Sequence, residues 1–389
     1  MSLQNKDAGE EVNVEVVNST RDMIDKDEHE HGKVPFIRIA RRNYIPPHLA
    51  FRNRAIGLLS ALIVGAVLFL TLGFNPITVY GVMINSVFGS NVGFIQMIRT
   101  TIPLLGCAIA VGLSFKMKFW NIGAEGQVLI GGVAAAYFAI FHSETFSRPV
   151  LLIVMALAAA LAGGIWAFIP AFFKAKWGTN ETLFTLMQNY LALSLVLHLA
   201  TVEAWRDPGQ DYNQIARLSL DARLPNLFGL HIGWVLILVF AILAHIYITH
   251  SKWGYQTTVV GQSPNTARYA GMNVGWVIMR TMLISGAVGG FVGYLQVAGA
   301  DYTLTMYTAG GVGFTAIIVA WVSQLKPLVM IWIAAFIAIL ERGSLRIQRE
   351  FGIEETIASI LVGIILFFMI ACEFFNNYYV IFRKRKGVS

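Results

Sequence analysis

The sequence predicts an all-α integral membrane protein: a polytopic bundle of about ten transmembrane helices, some broken or short, with both termini in the cytoplasm. Three observations predict it. The chain of 389 residues is 56% hydrophobic and only 13% charged, with a mean hydropathy of +0.62, outside the composition of soluble domains. Apolar runs long enough to cross or half cross a bilayer follow one another from residue 56 to residue 376. Lysine and arginine gather at the ends of those runs, as inside-positive topology requires.

In order, the runs lie near 56–74, 94–113, 122–141, 150–173, 182–201, 232–249, 279–299, 312–324, 327–341 and 355–376, so 51–376 reads as the transmembrane domain. The eighth and ninth are short for a full crossing. Arg38, Arg41, Arg42, Arg52 and Arg54 precede the first run, and Arg383, Lys384, Arg385 and Lys386 follow the last. Both ends are therefore expected inside, which requires an even number of crossings. Ten crossings also place Lys116, Lys118, Lys174, Lys176, Lys252, Arg268 and Lys326 inside, whereas Arg342, Arg346 and Arg349 fall outside, against the rule. Residues 1–50 are expected to be a disordered polar cytoplasmic tail; up to residue 35 they are acidic, without apolar period and without a cleavable signal peptide. Residues 377–389 form a basic cytoplasmic tail.

Two stretches between runs are long enough to have a task. The external loop over 203–230, broken by Pro208, Gly209 and Pro225, is either a docking surface or a cover for the bundle. The cytoplasmic stretch over 250–278 contains SPNTARYAG, which reads as a short helix capped by Ser263, begun by Pro264 and stopped at Gly271. In SGAVGGFVG, Gly286 and Gly290 lie four apart, as do Gly289 and Gly293, so neighbouring helices can approach closely. Pro103 removes one helical hydrogen bond and is expected to kink or split the second run.

Several function classes drop out. Cys107 and Cys372 lie in apolar runs without the spacing of a disulfide framework or a CxxC pair. His29 and His31 sit in the polar tail without a scaffold for a metal. No G-x-x-x-x-G-K-[ST] loop, nucleophile elbow or HExxH occurs, so the chain is not expected to be an enzyme, to hold a cofactor or to hydrolyse ATP itself. Gly311, Gly313 and Ala316 match a loose G-x-G-x-x-A pattern, but no strand precedes them and helix packing accounts for the glycines. The net charge of +7 sits beside apolar runs, which points to membrane lipid and not to nucleic acid.

Two polar clusters remain. In FWNIGAEGQ, Asn121 and Glu125 share a helix face if the segment is helical, while Gly123 and Gly126 permit an unwound turn, with Gln127 just beyond. In GTNETLFTLMQNY, which starts with Asn180 near its head, Glu181, Thr185 and Gln188 follow helical spacing and Asn189 lies one turn after Thr185. A path for a hydrophilic solute needs such groups, because each hydroxyl stripped of water needs a new partner. Glue between helices is the other reading. A carboxylate at mid-bilayer costs about 2.5–3.5 kcal/mol, which favours the path for Glu125 and Glu181.

FWNIGAEGQ, TNETLFTLMQNYLAL, ARLPNLFG, GYQTTVVGQSPNTARYAGMNV, SGAVGGFVGYLQVAG and GGVGFTAIIV resemble, in that order, the permease subunits of bacterial ABC importers for nucleosides and simple sugars, of the ribose and branched-chain amino acid type. The likeness runs from about residue 50 to about 345, and NIGAEGQ with the NE-plus-NY pattern places it on the nucleoside side. Thr315, Ser323 and Gln188 depart from the residues usual there. The resemblance implies a multi-pass bacterial plasma-membrane protein importing nucleosides. It implies as partners cytoplasmic ATPase subunits that use ATP, a second and different permease subunit, and an external substrate-binding lipoprotein. On matching positions, Gly261, Asn265, Ala267, Arg268, Tyr269, Ala270 and Gly271 correspond to the family's ATPase-facing coupling segment. Trp120, Phe184 and Tyr190 offer ring faces for a nucleobase. A simple sugar is the alternative cargo. An ion-coupled secondary transporter would need ion-linked carboxylates, and a membrane hydrolase a paired acid and base.

Overall fold

The computed structural model describes residues 37–41, 46–207 and 213–382. His29, His31, Arg42, Pro208, Gly209 and the run Arg383 to Lys386 lie outside the described residues. Thirteen α-helices occupy these residues: α1 (Pro47–Thr71), α2 (Pro76–Phe88), α3 (Asn91–Lys116), α4 (Ala124–Phe141), α5 (Arg148–Trp177), α6 (Glu181–Leu199), α7 (Gly233–His250), α8 (Lys252–Gln262), α9 (Pro264–Tyr269), α10 (Val274–Leu295), α11 (Val312–Val322), α12 (Pro327–Phe351) and α13 (Glu355–Asn377). Among the described residues nine helices are long and apolar enough to cross a membrane, while α2 and α11 are apolar but short. The eighth run thus stays short, as α11, whereas the ninth lengthens into α12. Helix α2 is an element that the run-by-run reading missed.

The chain divides into two compact units, one of residues 1–81 with 347–389 and one of residues 82–346. In the first, α1 packs on α13. Gly57 makes room for Cys372, Asn53 Nδ2 donates to Asn376 Oδ1 at 2.8 Å, and Arg54 pairs with Glu373 at 3.0 Å. Strand β1 (Ile37–Arg41) runs antiparallel to β4 (Tyr378–Phe382), which brings the two ends of the described chain together on one side. Both ends on one side of the membrane is the arrangement this pairing fits.

In the second unit α10 is central, and its glycines decide how closely it is approached. A Cβ on Gly286 or Gly290 would strike the α5 backbone at Gly163 and Ala159, and one on Gly293 would strike the α4 backbone at Val128 and Gly132. The two glycine pairs therefore serve two neighbours: Gly286 and Gly290 face α5, Gly289 and Gly293 face α4. Pro103 does not split α3, which runs unbroken from Asn91 to Lys116, and Pro170 sits inside α5 in the same way. One of the arginines against the charge rule has its partners in α3. Arg342 donates to Thr100 Oγ1 and Gln96 Oε1 of α3, both at 3.0 Å, so α12 continues as a helix past its apolar run.

The described residues of the 203–230 loop pack on the segment that follows α10. Leu224 N donates to Ala298 O, Leu218 N to Tyr302 O, and Thr303 Oγ1 to Ile215 O, each at 2.9 Å, while Arg223 stacks on the Tyr302 ring. Its short hairpin, β2 (Asn226–Leu227) with β3 (Leu230–His231), follows Pro225. The 250–278 stretch folds mainly as α8 and α9. Ser263 Oγ accepts from Thr266 N, Pro264 opens α9, and Gly271 ends it with φ of +76°.

Candidate functional site

The segment Met117–Gly123 leaves α3 without helical structure and climbs back to the start of α4. Side chains from α6 hold it there. Asn189 Oδ1 accepts from Gly126 N at 2.8 Å and its Nδ2 donates to Ile122 O at 2.9 Å, so one amide satisfies two backbone groups of the turn. Thr185 Oγ1 accepts from Ile122 N at 3.2 Å and donates to Glu181 O at 2.8 Å. Asn121, fully buried, accepts at Oδ1 from Gly123 N and Gln127 Nε2, and donates to Ser285 Oγ of α10, which in turn donates to Ala110 O of α3 at 2.6 Å.

Asn189 lies eight positions after Glu181, the first residue of α6, so the α4 start that it holds is about 12 Å in from that end at about 1.5 Å per residue. A second helix begins beside it. The chain leaves α10 through a π-helical turn, Gln296–Asp301, runs irregularly from Tyr302 to Gly311, and restarts as α11 with Gly311 at φ of +81°. Gly311 is eleven positions before Val322, the last residue of α11, which sets the restart about 16 Å along the helix from that end, about half the thickness of a hydrocarbon core of about 30 Å.

Glu125 joins the two starts. Its Oε1 accepts from Gly311 N at 2.7 Å and its Oε2 from Gly313 N at 2.8 Å, while the residue itself stands in the first turn of α4. One carboxylate therefore lies at two helix N-termini, each carrying about half a positive charge. Two halves offset one anion, which is why a carboxylate is tolerated at this depth. The glycines at 311 and 313, which the sequence assigned to helix packing, form its cradle; a Cβ on Gly313 would lie 2.5 Å from Glu125 N.

The other sequence-selected residues separate from this junction. Glu181 pairs with Lys174 at 2.7 Å at the start of α6. Asn180 caps α6, accepting from Thr182 N and Leu183 N. Gln188 donates to Trp166 O of α5 at 3.1 Å. Gln127 is buried, with its Oε1 unpartnered. Phe184 stacks on Phe173, and Tyr190 is exposed on the outer face of α6. On the other side of α11 lie groups the sequence did not select as site residues: exposed Phe314 and Trp321, seven apart on one face, and half-buried Thr315. Trp321 stacks on Trp120 with ring centroids 5.6 Å apart, and the buried Phe115 lies against both. The doubled glycine after the threonine-rich stretch is the one sequence sign of this break.

In α9, Tyr269 is 93% exposed and Arg268 Nη1 donates to Asn265 Oδ1, whereas Ala267 is buried with Met117, Phe119, Val260, Val277 and Met282. Gly261 of α8 packs on the backbone at Lys116. The exposed helix α9 is thus keyed to the same segment that leads to Asn121 and Glu125.

A family model described as the permease component of branched-chain amino acid transport systems matches residues 93–370. A glucose ABC transporter permease protein of Haloferax volcanii is 30% identical over 88% of this chain and 93% of its own. A guanosine ABC transporter permease protein of Bacillus subtilis is 29% identical over 86% of this chain and 97% of its own. A nucleoside ABC transporter permease protein of Lactococcus lactis is 24% identical over 86% of this chain and 93% of its own. No solved structure matches the chain.

Proposed function

The chain belongs to the family of branched-chain amino acid transport system permease components, and on that premise we propose that it is the membrane-spanning permease subunit of an ATP-driven importer of nucleosides. It is a multi-pass protein of the plasma membrane. An external binding lipoprotein delivers the nucleoside, a second and different permease completes the conduit, and cytoplasmic ATPase subunits bind and hydrolyse ATP, this chain holding no cofactor.

One observation carries the placement of the conduit: the irregular backbone from Tyr302 to Gly311, with Tyr307 74% exposed, ends at half depth against Glu125. Non-helical backbone at membrane depth is tolerated only where protein buries it or water reaches it. The face with Tyr307, Phe314, half-buried Thr315 and half-buried Glu125 is therefore read as the conduit wall. Asn121, Gln127, Thr185, Gln188 and Asn189 brace it from behind, Asn180 and Glu181 fix its inner end, and Glu125 stands at its surface. Coupling follows from α9: Gly261, Asn265, Arg268, Tyr269, Ala270 and Gly271 form the ATPase-facing knob, and buried Ala267 passes its movement to Met117 and Phe119. A shift of that segment loads the Asn121 and Glu125 bonds, a rigid-body route to alternating access.

Reconstituting the complete transporter in vesicles tests the reading. ATP-dependent uptake of radiolabelled guanosine is expected, together with labelling of Thr315→Cys by a membrane-impermeant thiosulfonate. Uptake that runs on an ion gradient without ATP would refute the importer, and a cysteine at 315 that stays unlabelled with and without ATP would refute the wall. The likeness to a glucose permease supports a simple sugar as the second reading; competition of glucose against guanosine separates the two.

A further inference from the structure

Below the Glu125 junction the same face of α11 ends at Trp321, which meets Trp120, one of the rings whose faces the sequence offered to a nucleobase. Trp321 lies seven positions after Phe314 on one helix stripe, and Trp120 comes to it from the irregular segment before α4. The two indoles stack at 27° between planes, both are 45% exposed, and Phe115, 5.2 Å from Trp120 and 5.9 Å from Trp321, is buried beneath them. Rings stacked only to fill a core would be covered. Here Phe115 supports two rings that the rest of this chain leaves uncovered.

We infer that Trp120 and Trp321 form a stacking platform for the planar heterocycle of the transported solute, at the inner end of the conduit. The inference rests on the nucleoside reading above. Every nucleobase has a π-face, so stacking on aromatic side chains holds bases without choosing among them. A hexose has no π-face and would meet the indoles only through its C–H groups, so the cargo is decided by the uptake and quenching measurements below and not by the platform alone. Its position suits release: a solute leaving the polar level of Glu125 meets a flat apolar surface before the cytoplasm, and binding through one face is weak enough to be escaped. The competing account is an interfacial pair of tryptophans facing lipid headgroups, as in the aromatic belts of membrane proteins.

The test uses the complete transporter in vesicles. Trp120→Ala and Trp321→Ala are expected to lower maximal guanosine uptake about ten-fold, within the range of base stacking on one ring. Trp321→Phe should restore most of it, and Trp332→Ala, at a 77% exposed ring on α12, should import at the unaltered rate. Because an alanine variant can fail by misfolding, a second measurement uses rings that keep the packing. 8-Bromoguanosine should quench indole fluorescence of the transporter, and the Trp120→Phe, Trp321→Phe double variant should lose that quenching while still importing. Wild-type uptake of glucose but not guanosine would remove the nucleoside reading and the platform with it. Guanosine uptake by the wild type with equal rates in both alanine variants, or quenching that survives the double variant, would overturn the platform alone and leave the pair as an interfacial belt.

Discussion

Removing the Glu125 carboxylate should loosen the junction of α4 and α11 by an amount that its geometry sets. In Glu125→Ala, Gly311 N and Gly313 N lose acceptors now at 2.7 and 2.8 Å. Hydrogen bonds to a charged group are worth about 1.5–3 kcal/mol each, and a donor left unsatisfied away from water costs its desolvation. Two such bonds give about 3–6 kcal/mol, before the favourable interaction with two helix dipoles is counted. Glu125→Gln keeps one acceptor oxygen but turns an N–H₂ group towards the other donor, so roughly half the loss is expected. At about 2–4 °C per kcal/mol, the alanine variant should melt at least about 6 °C below the parent, with the glutamine variant between them. Thermal unfolding of the detergent-purified transporter, followed by the loss of its monodisperse chromatographic peak, measures this, and guanosine uptake by the same variants reconstituted in vesicles should fall in the same order. If Glu125→Ala melted within about 1 °C of the parent, the double cradle would contribute nothing and the argument from it would fail.

Three further outcomes follow from other places in the chain. Gly290→Val puts side-chain carbons where Ala159 O and Gly163 Cα of α5 already lie, and overpacking of about 1–3 kcal/mol or more should reduce folded yield, whereas Gly363→Ala, with nothing near its Cβ position, should not. His231, fully buried before α7, has its pKa pushed down to about 4 from 6.5, first by burial and second by the charge of Arg99. Its neutral form supports the fold above pH 6.5, and that support is lost as pH falls towards 4, because the opened chain takes the proton first. The interval of about 2.5, at about 1.36 kcal/mol per unit, makes the full loss about 3 kcal/mol; a melting series from pH 7.5 to 4.5 should show it in the parent and lack it in His231→Phe. Tyr269→Ala removes a side chain that touches solvent alone in α9, so melting should be unchanged while ATPase stimulation by loaded binding protein falls several-fold; unchanged stimulation would take α9 out of the coupling route.

What the sequence could show was what lies close along it. The spacing of Gly286, Gly289, Gly290 and Gly293 was enough to foresee two tightly approached neighbours, and Ser263, Pro264 and Gly271 outlined α9 to within a residue. The short eighth run also emerged as α11. The partners of the buried polar groups were not legible, because they lie far off in the chain: Asn189 answers Ile122 and Gly126, and Glu125 answers glycines near residue 311. A carboxylate in apolar sequence suggested a solute path, yet two backbone amides satisfy it. Helix α12 outran its apolar stretch because Arg342 is met by Gln96 and Thr100, and α2 escaped notice because Asn75, Asn85 and Ser86 cut its apolar run short. The wall of exposed aromatics on α11 was hidden for the opposite reason, since apolar letters look the same whether lipid or water faces them.

The cradle around Glu125 has a consequence for how the chain is made. Its two amides are encoded 186 and 188 positions downstream, so at about 5–20 residues per second a ribosome supplies them only about 10–40 s after the carboxylate. For that interval α4 must wait in the insertion machinery, or against the amides of its own first turn, with its anion uncompensated. Helix α11, at eleven residues, is too short to be recognised for insertion unaided. Its arrival closes the junction, which makes it a late step in biogenesis and a point at which truncated or stalled chains should be recognised and degraded.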